Sequence, residues 1–178
     1  NIFRLLDAFE DARKKGIPQK LVLIGKIHKE VKDRLKNHPN VLSLGYVSDA
    51  DLVELIQGSD ALVLPSIHEG FGIPLIESMA CGVPCITSDR HTPPEVVGDA
   101  GLLVDPYDVS DIANKMIEIN DGDTLQTLSK RALQRSQDYS WKTSAAKILE
   151  LYEKHTAFTG KWDFQKAYDI AAYQTVTT

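Results

Sequence analysis

Cysteine is scarce in this 178-residue chain, which contains Cys81 and Cys85 and no others. Two cysteines cannot build the disulfide framework of a small secreted domain, and the three residues between them do not give the CxxC spacing of a zinc or redox site. We interpret both as small buried hydrophobic residues. A reducing, cytoplasmic setting therefore fits best.

Long apolar runs and an excess of basic charge are also missing. No stretch reaches the roughly 18 apolar residues of a transmembrane helix, and the N-terminus has no signal-peptide core. The formal net charge is −5, whereas nucleic-acid-binding surfaces are strongly basic. The histidines lack metal-site spacing. We expect no nucleic-acid partner, metal, cofactor or transmembrane segment, and leave peripheral membrane contact open.

Short aliphatic runs alternate with amphipathic stretches along much of the chain. The runs are typical of buried strands and the stretches of helices, at the spacing of βαβ units. The pattern predicts an α/β fold: a Rossmann-like open parallel sheet with helices on both faces. The predicted strands are 21–24, 41–44, 61–64, 84–87 and 101–104, and the predicted helices are 2–15, 28–37, 49–57, 73–81, 108–119, 122–137 and 140–156.

One domain over residues 1–155 is predicted from the chain length and from this pattern. Because a helix rather than a strand comes first, we expect the first strand of the sheet to be missing. Residues 156–178 contain five aromatic side chains in an amphipathic stretch. This segment is expected to form a final helix or a tail that docks elsewhere.

The glycine-rich turn after the third predicted strand is the strongest candidate site, because open α/β sheets bind ligands at the carboxyl ends of their strands. Gly70 and Gly72 permit close approach of the backbone to a ligand, and Pro74 suits the first turn of a helix. We expect the free N–H groups of Gly72, Ile73 and Leu75 to point outward at the positive end of the helix dipole. That arrangement suits a phosphate group.

Glu69 and Glu77 flank this turn, eight residues apart. Each carboxylate accepts two hydrogen bonds, which suits a vicinal diol of a sugar or a ribose. On spacing alone, two solvated glutamates beside an ordinary tight turn remain the alternative. Gly25 and the segment Tyr46–Val47 follow the first and second strands and are expected at the same edge.

The segment from Glu69 to Pro84 resembles the E-x7-E signature of retaining GT-B glycosyltransferases of family 4. The resemblance continues in segments 45–52, 59–66 and 94–106 and covers about residues 1–155. It implies the C-terminal, nucleotide-sugar-binding half of a GT-B fold. The full enzyme, expected in polysaccharide or glycoconjugate biosynthesis, would transfer a hexose from a nucleoside-diphosphate sugar to an acceptor hydroxyl with retention of configuration.

The resemblance also implies roles for individual residues. Glu77 would hold the ribose hydroxyls, and Glu69 would contact the donor sugar as the candidate catalytic residue. The loops at Gly25 and Tyr46–Val47 would flank the nucleotide. The backbone that meets the sugar and diphosphate would be that of Gly70, Phe71, Gly72 and Ile73.

In the family, an Arg and a Lys that neutralise the diphosphate, and an N-terminal domain that binds the acceptor, precede the segment matched here. The resemblance therefore implies that this chain alone binds a donor without transferring its sugar. The acceptor, a sugar, glycan or lipid-linked molecule, would be held by the missing domain, on which residues 156–178 would dock. A non-catalytic sugar-nucleotide-binding module and a GT-B nucleotide-sugar epimerase remain alternatives.

Overall fold

A computed structural model describes residues 1–36 and 38–155. The chain divides into two units, residues 1–136 and 137–178. No helix in the described ranges is long and apolar enough to cross a membrane. The elements of the first unit are α1 (Ile2–Lys14), β1 (Leu21–Ile24), α2 (Lys29–Leu35), β2 (Val41–Gly45), α3 (Asp49–Gln57), β3 (Leu62–Leu64), α4 (Ile73–Ala80), β4 (Cys85–Ser88), α5 (Pro93–Val97), β5 (Gly101–Val104), α6 (Val109–Glu118) and α7 (Gly122–Ser136), and the second unit contributes α8 (Trp141–His155).

Each predicted strand is present to within one residue and each predicted helix to within two. The prediction for residues 156–178 lies outside the described residues. Helix α5 was not predicted, because its sequence opens with Pro93 and Pro94. Prolines are tolerated in the first helical turn, where their missing N–H groups have no intrahelical partner. The helix closes its first hydrogen bond when Val96 N donates to the Thr92 carbonyl at 3.1 Å.

Every strand pair among the described residues is parallel, which confirms the predicted fold class. The strands lie in two sheets, however, where a single open sheet was expected: β1 pairs with β2, and β4 lies between β3 and β5. Because both sheets are parallel, each has one edge at which all its strands end. The predicted site residues follow these carboxyl ends.

Strand β4 shows why helices cover both faces of its sheet. Successive side chains of a strand point to opposite faces, and all four residues of β4 are buried. Ile86 belongs to the hydrophobic core that includes Leu6 of α1 and Ile112 of α6. On the other face, the Cys85 thiol lies 3.6 Å from the carbonyl oxygen of Leu75 in α4. The layering predicted from the sequence is therefore confirmed for this sheet.

A cavity of about 470 Å³ lies where β1 faces β3. At the amino ends of these strands, Gln19 Nε2 donates to Asp60 Oδ2 at 3.0 Å. Alternate residues of a parallel strand direct their backbone polar groups to opposite edges. Gly25 N donates to β2. By this alternation, the backbone N–H and C=O groups of Val22 and Ile24 point the other way, toward the cavity. The expected additional strand remains a prediction, and this cavity is where it would fit.

Candidate functional site

The turn between β3 and α4 is shaped by Gly72, the residue that precedes the helix. Its φ of 91° lies in the left-handed region that favours glycine. A Cβ atom at this position would also lie 2.9 Å from Cδ1 of Leu75, a fully buried side chain. Glycine is therefore required here both by backbone conformation and by space. The change of chain direction at Gly72 brings the first turn of α4 to the carboxyl end of β3.

Helix α4 has one buried face and one exposed face. Leu75, Ser78 and Met79 are fully buried, whereas Ile73 and Glu77 are exposed. Residues four apart lie on the same helical face, one turn from each other. The Glu77 carboxylate therefore projects from the same face as the first residue of the helix.

The amino end of α4 offers fewer N–H groups than the sequence predicted. Leu75 N donates to the Gly72 carbonyl at 2.9 Å, so the expectation of an outward-pointing N–H at Leu75 is wrong. The positive φ at Gly72 turns its carbonyl into reach of that amide, and Pro74 has no N–H. Gly72 and Ile73 therefore carry the two amides that remain at this positive end of the helix dipole.

Glu69 lies half-buried in the loop before α4, and its carboxylate is held by a neighbour. The Ser66 hydroxyl donates to Glu69 Oε1 at 2.8 Å. A carboxylate has four lone-pair positions, so this bond fixes the side chain and leaves acceptor capacity for a ligand. Ser66 lies in segment 59–66, which carries part of the family resemblance, but its role was not predicted.

A second loop, residues 89–92 after β4, contacts the first. Thr92 Oγ1 lies 3.2 Å from the carbonyl oxygen of Glu69 and 3.1 Å from that of Gly70. The rings of His68 and His91 meet edge to face with centroids 4.5 Å apart. No spacing in the sequence signals these contacts, because they join residues more than 20 positions apart.

A third group of predicted site residues lies at the carboxyl ends of β1 and β2. Gly25, with a φ of 96°, donates its N–H to the Gly45 carbonyl at 2.7 Å, which brings it beside the segment before Tyr46. Tyr46 is 84% exposed and Val47 is half-buried. Within the described ranges, no hydrogen bond joins this group to the loop that carries Glu69.

Asn1 fixes the start of α1 at the edge where β3 and β5 end. Its Nδ2 donates to the carbonyl of Pro65 at 2.8 Å and to that of Pro106 at 2.6 Å. Nearby, the exposed Tyr107 ring has the guanidinium groups of Arg4 and Arg90 within 5.3 and 5.4 Å of its centroid. No motif in the sequence predicts this cluster.

Charges near the candidate site are partly compensated. The backbone N–H of Tyr107, and then the Arg90 guanidinium, lower the pKa of Asp105, so this carboxylate stays ionised and neutralises Arg90. Burial, and then the negative charge of Glu77, raise the pKa of the Cys81 thiol one turn along α4. Glu77 itself, one turn before Cys81, is exposed.

The sequence model of the family described as glycosyl transferases group 1 matches residues 1–137. The chain belongs to this family. Among its relatives, O-antigen chain mannosyltransferase B of Escherichia coli is 39% identical over 111 residues, which are 62% of this chain and 29% of that protein. Serotype-specific mannosyltransferase WbdA of Escherichia coli is 30% identical over 167 residues, 89% of this chain and 20% of that protein.

Solved structures have the same fold. Sucrose-phosphate synthase from Thermosynechococcus elongatus matches with a TM-score of 0.71 at 26% identity over 83% of this chain and 41% of that one. HepE of Anabaena, crystallised with UDP and glucose, matches with a TM-score of 0.68 at 26% identity over 82% and 44%. The chain thus spans less than half of each of these proteins. Together, the matches confirm the predicted resemblance to a GT-B glycosyltransferase domain.

Proposed function

We propose that this chain binds a nucleoside-diphosphate sugar as the donor domain of a retaining hexosyltransferase. The observation that carries the proposal is the turn at Gly72, which opens α4 between two carboxylates. Glu69 lies before it, half-buried and held by Ser66, and Glu77 lies one turn into the helix on its exposed face. Membership of the glycosyl transferases group 1 family supports this proposal.

The diphosphate of the donor would lie at the amino end of α4. The amides of Gly72 and Ile73 are at the positive end of the helix dipole, which stabilises anions. During sugar transfer, negative charge develops on the leaving diphosphate, and donors fixed in advance stabilise that charge without reorganising. The amides of Gly72 and Ile73, together with the dipole of α4, supply part of this stabilisation.

The two carboxylates have different roles in this proposal. Glu77, exposed beside the helix start, accepts hydrogen bonds from the two ribose hydroxyls. Glu69 lies on the other side of the turn and accepts hydrogen bonds from hydroxyls of the sugar. Its fixed position suits the recognition of one arrangement of hydroxyl groups. Gly25 and the segment Tyr46–Val47 flank the nucleotide.

Mannose is the sugar that we propose. O-antigen chain mannosyltransferase B and WbdA are named for mannosyl transfer, and the first of these is 39% identical to this chain over 111 residues. HepE was crystallised with UDP and glucose, so a uridine nucleotide is the main competing donor class. A titration that distinguishes a mannosyl donor from a uridine-diphosphate donor is therefore informative.

Calorimetric titration of residues 1–178 with GDP, GDP-mannose, UDP and UDP-glucose tests the proposal. We expect dissociation constants of roughly 0.1–1 mM, because a few hydrogen bonds leave little surplus over the entropy cost of binding. Preferential binding of GDP-mannose supports the mannosyl assignment. Absence of binding by all four nucleotides contradicts the proposed function.

Transfer itself is proposed for the full enzyme. Orienting donor and acceptor together is worth roughly 7–11 kcal/mol of a reaction barrier, and we propose that a further domain holds the acceptor. Residues 1–178 are thus expected to bind the donor without transferring its sugar. A transfer assay with the full enzyme, and analysis of the anomeric configuration of its product, tests retention and separates transfer from epimerisation.

A further inference from the structure

We propose that Thr92 is a positioning residue for the loop that carries Glu69, and that its hydroxyl sets the position from which Glu69 contacts the donor sugar. This inference rests on the proposed function. It assigns a role to the loop after β4, to which neither the resemblance nor the comparisons give one.

The first observation is that the Thr92 hydroxyl contacts two consecutive carbonyls of the neighbouring loop. Its oxygen is 3.2 Å from Glu69 O and 3.1 Å from Gly70 O. A hydroxyl carries one hydrogen, so the two carbonyls share this donor. Both acceptors belong to the backbone that determines where the Glu69 side chain begins and where the glycine turn starts.

The second observation is that the Thr92 side chain does not cap the helix that follows it. It precedes α5, where a threonine hydroxyl usually accepts a hydrogen bond from an amide of the first helical turn. Here no such bond forms. The first two helical residues are Pro93 and Pro94, which have no N–H, so neither position offers an amide that would orient the hydroxyl toward the helix.

The third observation is the conformation of His91. It has a φ of 60°, and it is the only non-glycine residue with a positive φ in the part of the chain that is described. Such strain persists where surrounding contacts hold it. The edge-to-face contact with His68, one residue before Glu69, is such a contact. The two loops therefore meet at adjacent points, through a hydroxyl and through a pair of rings.

Two different contacts position two different parts of Glu69. Ser66 holds the carboxylate, and Thr92 holds the backbone that carries it. Glu77 lies in α4, beyond the Gly72 turn, and receives no bond from Thr92. Loss of the hydroxyl should therefore weaken contacts to the sugar and leave those to the nucleotide unchanged.

The test compares Thr92→Val, which removes the hydroxyl at similar volume, with Thr92→Ser, which keeps it. Thr127→Val, at an exposed position on α7, is the control. Each protein is titrated with GDP-mannose and GDP, and with UDP-glucose and UDP. Backbone NMR order parameters of residues 69–71 are measured on the same proteins without nucleotide.

We expect Thr92→Val to bind the sugar nucleotide about three- to tenfold more weakly, the scale of one neutral hydrogen bond. Its affinity for the nucleoside diphosphate should stay within about twofold, the order parameters of residues 69–71 should fall, and Thr92→Ser and Thr127→Val should match the wild type. Equal weakening of both ligands, or unchanged affinity and order parameters, overturns the positioning role. If the wild-type chain binds none of the four nucleotides, the proposed function fails first, whatever the order parameters show.

Discussion

The Ser66 hydroxyl donates a hydrogen bond to Oε1 of Glu69 across 2.8 Å. This bond links Ser66, two residues beyond the end of β3, to the carboxylate before the glycine turn. A free glutamate in a loop samples several rotamers, and fixing it costs entropy when a ligand binds. Here the protein has already oriented the carboxylate.

Glu69→Gln should weaken binding of the sugar nucleotide and leave that of the nucleoside diphosphate nearly unchanged. The amide oxygen of Gln still accepts the hydrogen bond from Ser66, so the side chain keeps its position while the charge is lost. Hydrogen bonds to a charged group contribute about 1.5–3 kcal/mol. Calorimetric titration with both ligands measures the split. A large loss of nucleoside-diphosphate affinity would show that the roles assigned to the two glutamates are reversed.

Gly72→Ala should destabilise the fold by about 2–3 kcal/mol, from backbone strain at φ 91° and overlap with Leu75. Gly70→Ala is the matched control, because a Cβ at Gly70 meets nothing within 4 Å. Its effect should stay within about 0.5 kcal/mol. Urea unfolding of the two variants measures both values, and equal destabilisation would contradict the geometry of the turn.

Cys85 should make stability fall at alkaline pH. Burial raises the pKa of its thiol from 9.0 to about 12. Between these values the unfolded chain has lost this proton and the folded chain keeps it, so stability decreases as pH rises. From pH 8 to pH 10.5, the wild type should lose about 2 kcal/mol more free energy of unfolding than Cys85→Ala. Identical pH dependence in the two proteins would exclude this effect.

A strand added before Asn1 should fill the cavity between β1 and β3. Asn1 is fixed at the carboxyl end of β3 through Pro65, which is where a strand parallel to β3 would end. Six β-branched residues appended there should raise the melting temperature and protect the amides of Val22 and Ile24 from hydrogen exchange. The same segment with alternating prolines, which cannot donate to a ladder, is the control. Equal protection of these two amides with and without the added strand would refute the placement.

The local elements could be predicted from sequence, because each has a local cause. Gly72 and Pro74 punctuate the start of α4, and aliphatic runs mark the strands. The N–H of Leu75 was assigned wrongly, since only the actual turn shows its bond to the Gly72 carbonyl. Helix α5 was missed because its two opening prolines are more typical of a loop.

The contacts that hold Glu69 could not be predicted in the same way. The bond from Thr92 spans 23 residues, and it depends on how β3 and β4 lie side by side. Similarly, the separation of the strands into two sheets depends on what lies between β1 and β3. Hydrophobic periodicity assigns residues to faces of an element, but it does not determine which loops meet.

The binding of a nucleoside diphosphate by Glu77→Ala tests the central claim most directly. Calorimetric titration with GDP and UDP should show about 10- to 100-fold weaker binding than the wild type, the scale of charge-assisted hydrogen bonds to the ribose. Glu54→Ala, at an exposed glutamate on α3, should bind like the wild type. Unchanged affinity in Glu77→Ala would contradict the assignment of this chain as a donor-binding domain built around α4.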